Sequence, residues 1–374
     1  MVASLGYDAR TCCAAARAGL VRPFMLDALK VPTPVEGEPA PTIGHAASLL
    51  TRGFEGDARL VRLLQGVLTD LSVHGYTQAQ GVRSGFYLSL PDPRRIYGGL
   101  ELIPSEATRK EKEKEAADAD DEPDVERPSR LLAQAAELAR WRGTPQVRGV
   151  VTSGHAGGIE ALNAASLDLA AGSIDLAIVL GVDSLLDEDT LYWLQATYRL
   201  KTAANPVGLP PGEAAAAILI ETTAGAQARQ RPTIANVLNV TVGAEAQSLL
   251  SGAPPVGSEL ARVLAAAGEL AGWRDETPAW LVVDHNGETY RAAEWGHAVV
   301  RLRGEYAAVA NAKLWYPAAA LGDTGAASSV VGMCVALAAI ERGYNAAPCC
   351  VISATSEAEP RAVAVLAAPQ GARH

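Results

Sequence analysis

Apolar residues in this chain recur at two spacings, and each switch between them marks an element. Over residues 58 to 71 they return every three or four positions, which predicts one face of a helix. Residues 86 to 90 alternate like a strand, and the β-branched run at 147 to 152 predicts another. That run stops at Ser153-Gly154-His155-Ala156-Gly157-Gly158, after which Ile159, Leu162, Ala165, Leu167 and Leu169 resume helical spacing. The prediction is a strand, a tight turn and a packed helix, with the glycines allowing the sharp turn and His155 presented at the helix N-terminus. Gly172 and Ser173 then introduce an apolar run over 174 to 180, completing one βαβ unit of a parallel sheet. Pro211-Gly212-Glu213 opens a further buried strand, in which Glu213 reads as structural.

The second half repeats this pattern. Gly322-Asp323-Thr324-Gly325-Ala326-Ala327-Ser328 opens a helix over 330 to 340, Gly343 ends it, and residues 348 to 353 supply a strand. The first hundred residues are less patterned. Leu5-Gly6-Tyr7-Asp8 leads into a short helix ending at Gly19, the first strand reads as truncated, and Pro32, Pro34, Pro39 and Pro41 mark a loop. Residues 106 to 128 carry hardly an apolar side chain and are expected to be a mobile charged loop, or a lid or partner-docking loop, before a helix at 129 to 141.

Composition narrows the functional classes. The chain has 374 residues, 49% of them hydrophobic, and a net charge of −10, which argues against a nucleic-acid or anionic-membrane surface. No run approaches the roughly 18 apolar residues of a membrane span, and no basic segment precedes an apolar core at the N-terminus; a cytoplasmic protein is expected. Cys12, Cys13, Cys334, Cys349 and Cys350 form no Cys-x-x-Cys and are expected as buried free thiols. No phosphate-binding, dinucleotide or metalloprotease motif occurs, so no cofactor and no dedicated metal site are expected.

The elbow is not that of a hydrolase, which would need glycine where Val151 and His155 flank Ser153. Residues 153 to 162 instead resemble the turn of β-ketoacyl synthases in the thiolase superfamily, Thr-Ala-Cys-Ser-Ser-Ser-Leu-x-Ala-Leu, with His155 in the cysteine's place. The stretch 211 to 221 is similar to that family's Gly-Glu-Gly-Ala-Ala-x-x-Leu-x-Leu-Glu, and 322 to 328 to its Gly-His-x-x-Gly-Ala-Ala. The resemblance covers residues 58 to 368 and implies an α/β thiolase-like fold, five layers αβαβα with duplicated halves at 1–225 and 226–374.

Condensation in that family uses a thiolate, two histidines and backbone N–H groups as an oxyanion hole. The resemblance places His155 at the thiol, Asp284 or His285 at the first histidine, and Asp323 at the second. The usual lysine is displaced to Lys313, ten positions before Asp323, and the family's Gly-Phe-Gly-Gly loop falls on Thr355-Ser356-Glu357-Ala358. The implied catalytic positions are thus His155, His285 and Asp323, with Ser153, Asp284, Thr324, Thr355 and Ser356 lining the substrate. With the condensing parts replaced together, the expectation is a ketosynthase-like protein that binds acyl groups, a carrier protein or a catalytic partner, as a homodimer or a heterodimer with a ketosynthase. The alternative is an acyltransferase or hydrolase-type enzyme using His155 with His285 and Asp323, or a metal held by the same three. A helix N-terminus would favour neutral His155, and Glu294 with His297 is expected as an exposed helical pair.

Overall fold

The computed structural model describes residues 1–31, 40–74, 81–119, 124–274 and 278–369. Its strands are β1 (Val2–Ala3), β2 (Phe24–Val31), β3 (Ala40–Gly44), β4 (Ser84–Ser89), β5 (Val147–Val151), β6 (Leu176–Ser184), β7 (Glu213–Glu221), β8 (Asn236–Ala244), β9 (Trp280–Val283), β10 (Lys313–Trp315), β11 (Cys349–Thr355) and β12 (Pro360–Ala367). Apart from the β2–β3 hairpin they form two five-stranded sheets, ordered β1-β7-β6-β4-β5 and β10-β9-β11-β12-β8. The two orders are the same once β1 is matched with β8, β4 with β9, β5 with β10, β6 with β11 and β7 with β12. In each sheet the three equivalent central and outer strands run parallel and the other pairings are antiparallel.

Side chains of both sheets bury against three helical layers. Helices Gly56–Val73 and Arg127–Leu138 cover the outer face of the first sheet through Leu63, Leu64, Leu68, Leu131 and Leu132. Helices Gly157–Ala170 and Ser328–Glu341 lie between the sheets, packed by Ile159, Leu162, Val330, Val331 and Met333. Ser258–Ala271 and Thr289–Leu302 cover the second sheet with Leu260, Val263, Leu264, Ala298 and Leu302. This is the five-layer αβαβα arrangement. Ser328–Glu341 is apolar around nearly its whole circumference, as a helix buried on most sides must be, whereas Gly157–Ala170 keeps Glu160, Asn163, Ser166 and Asp168 at half-buried positions.

Three expectations are corrected. The charged stretch 106–128 is not a loop along its length: Glu106–Asp118 is a helix, capped by Ser105 on the Thr108 N–H and carrying Glu106–Lys110 and Lys112–Glu115 ion pairs. It buries no side chain, so its residue types and these pairs support it without a core. Residues 120–123 of that stretch, like Pro32, Pro34 and Pro39, lie outside the described residues, and Pro41 sits in β3. Glu294 is buried, 1% exposed, and bonds Arg361 at 2.6 Å, whereas His297 on the same helix is exposed. Cys12, Cys13, Cys334 and Cys350 are buried free thiols and Cys349 is half-buried. No helix among the described residues is long and apolar enough to cross a membrane.

Candidate functional site

The two elbow turns meet between the sheets. In the first, β5 leads through Ser153 into a 3-10 turn, Gly154–Ala156, and then helix Gly157–Ala170. Gly154 has φ +73°, and a Cβ there would stand 2.9 Å from a Glu357 carboxylate oxygen. At Gly157 a Cβ would stand 2.5 Å from the Ser89 hydroxyl, and at Gly158 equally close to Ser329 and Val330. The glycine run therefore lets the second elbow, Asp323–Ala327, come into contact. Ser89 Oγ donates to the Ala326 carbonyl at 2.8 Å, and His155 Nε2 lies 2.9 Å from Asp323 Oδ1.

A buried network of charges surrounds that contact. His155 Nδ1 is 3.3 Å from Glu357 Oε2, and Arg291 Nη2 is within 3.1 Å of Nδ1 and 3.4 Å of Nε2. Arg291 also bonds Asp284 at 2.9 Å, Thr355 Oγ1 at 2.7 Å, and the Thr355 carbonyl. Arg199 bridges Glu288, at 2.7 Å, and Glu357, at 3.1 Å. Asn286 joins the two anionic groups by donating to Glu288 at 2.7 Å and Asp323 at 2.5 Å. The second elbow's backbone is held too: Asp323 accepts from the Gly325 N–H, and Asp183, paired with Arg95 at 2.7 Å, accepts from the Ala326 N–H.

This network reverses the expected charge of His155. Burial and Arg291 oppose protonation, but Asp323 and Glu357 outweigh them and raise the imidazole to about 10. The direction follows from the count: four carboxylates, Asp284, Glu288, Asp323 and Glu357, face two guanidiniums, Arg199 and Arg291, so a third positive charge is favoured. A helix N-terminus contributes about half an elementary charge and cannot offset two carboxylates in contact. Although burial acts against them, Asp323 and Glu357 are correspondingly held below their ordinary values by His155 and the arginines.

A stability profile follows. His155's share is fully present below its unfolded value near 6.5 and is lost as pH rises through about 10; the shares of Asp323 and Glu357 are present above 3.8 and 4.5 and are lost as pH falls. Urea midpoints measured across this range should form a plateau with an alkaline decline that flattens in His155→Gln. A wild-type midpoint that stayed constant from 6.5 to 10 would show that His155 gains no proton on folding.

The other sequence-derived positions divide. Ser356 lies at the elbow, where its hydroxyl bonds the Ser153 carbonyl and accepts the Ala156 N–H at 3.1 Å, taking up a donor that would otherwise point outward from the turn. The Ser153 side chain is bound to Glu160. Asp284 accepts from the Thr355 N–H at 2.7 Å. Thr324 is buried and bonds Ser328. His285 is turned away: its ring stacks on Tyr316 and meets Trp295 edge-on, burial keeps it neutral, and no bond links it to His155 or Asp323. Lys313 sits exposed in β10. Arg199, Asn286, Glu288 and Arg291, which the sequence reading did not single out, complete the site; only the run from Asp284 to Glu288 after a strand offered a local cue. Among the described residues no group of three or more histidines, cysteines or carboxylates is arranged to hold a metal.

Chemically, this site holds no free nucleophile. Both ring nitrogens of His155 are engaged, the side chain is 2% exposed, and a protonated imidazolium cannot attack an acyl carbon. The void beside Asp284, Asp323, Thr324 and Ser353 amounts to about 20 Å³, room for about one water and not for an acyl chain.

No protein-family model matches the sequence, and no curated protein matches it. Solved structures do. The chain is similar over 98% of its length, at 16% identity and TM-score 0.70, to 97% of the ishigamide ketosynthase/chain length factor. It is similar over 99%, at 14% identity and TM-score 0.70, to 97% of a type II polyketide ketosynthase bound to a hexaketide and in complex with its acyl-carrier protein. It also matches 69% of the ketosynthase from module 6 of the bacillaene synthase of Bacillus subtilis 168, over 97% of its own length, at 13% identity and TM-score 0.65. These likenesses establish a thiolase-like ketosynthase fold.

Proposed function

We propose that this chain is a non-condensing, ketosynthase-like partner subunit of an acyl-assembling system, built from halves 1–225 and 226–374 and working in the cytoplasm. One observation carries the reading: the position resembling the family's nucleophile is occupied by His155, which is consumed in buried bonds to Asp323 and Glu357. Condensation needs an open thiolate and donors aimed at a developing enolate. Here Asp323 would repel that charge, and Ser356 already takes the elbow N–H.

The partner is a ketosynthase or a second copy, with an acyl-carrier protein as the further associate. Support comes from the neighbours just described, of which one is a ketosynthase/chain length factor and another a complex with an acyl-carrier protein. It also comes from β5, an edge strand whose Val150 is 40% exposed and against whose outer backbone row no strand stands among the described residues. The acyltransferase or hydrolase reading loses its third member, because His285 stacks on Tyr316 away from His155.

Intact-mass measurement after incubation with acyl and malonyl thioesters tests the reading. The wild-type protein should gain no covalent acyl group and release no carbon dioxide from malonyl thioesters. A 3-oxoacyl product formed by wild type and lost in His155→Ala would overturn it.

A further inference from the structure

We draw no further inference here: the strongest candidate, the outer edge of β8 in the second sheet, where Val237 and Leu238 are exposed and no strand stands against it among the described residues, carries nothing because nothing in the structure shows what covers it.

Discussion

Arg291→Ala is expected to cost the protein about 3–5 kcal/mol of stability, enough to consume much of the margin of an ordinary domain. Arg291 is 3% exposed and bonds Asp284, Glu288, Glu357 and Thr355 while standing against His155. Its removal leaves Asp284, Glu288, Asp323 and Glu357 with only Arg199 and His155 to balance them, in a region from which water is largely excluded. Breaking one partner out of a buried pair costs far more than the pair contributes, because the stranded charge cannot be resolvated. Arg291→Lys should recover only part of the loss, since a single ammonium cannot reproduce the forked contacts to Asp284 and Thr355. Urea unfolding of the three proteins provides the check. A loss below about 1 kcal/mol would place the network in the class of solvated surface pairs and remove the argument that it holds the elbows together.

Arg361→Ala should have an effect of similar size for a related reason. Arg361 lies within apolar β12 with no exposed surface, bonds Glu294 at 2.6 Å, and donates to the carbonyls of Ser356 at 2.9 Å and Ala358 at 2.8 Å. It therefore ties helix Thr289–Leu302, which carries Arg291, to the loop that carries Glu357. Burial is the largest influence raising the Glu294 carboxyl, and Arg361 is the main group opposing that rise. Truncating Arg361 should cost about 3–5 kcal/mol, and the double variant Arg361→Met with Glu294→Gln should recover most of it by removing both buried charges. Thermal unfolding of the single and double variants would show this. A double variant no more stable than Arg361→Ala would mean that the carbonyl contacts, not the charge pair, account for the loss.

The parts of this fold legible in the sequence were those with a local signature. The strand, glycine turn and helix around His155, and their repetition at Gly322 to Ser353, follow from changes of hydrophobic period bounded by residues that tolerate tight turns. β12 was missed because its run from Ala362 to Ala367 is apolar without alternation and Arg361 at its start reads as a solvent-facing charge. Its partner Glu294 lies 67 positions away and leaves no local mark. Helix Glu106–Asp118 was missed because it buries nothing, and periodicity registers burial only. The protonation of His155 was misjudged for the same physical reason as β12. A sequence displays the helix N-terminus beneath the ring, but the two carboxylates that govern its charge arrive from 168 and 202 positions away.

Those separations also govern when the network can form. Until both elbows are built and the inner helices are packed, each of these charges is solvated and gains nothing from its distant partners. The long loops that must close first give no electrostatic return on the way. The ion cluster is therefore expected to form after the transition state, so that its loss should raise the unfolding rate and leave the folding rate nearly unchanged. What the buried His155–Asp323 contact confers in these terms is lifetime: a native state that opens slowly once its two halves have closed on each other.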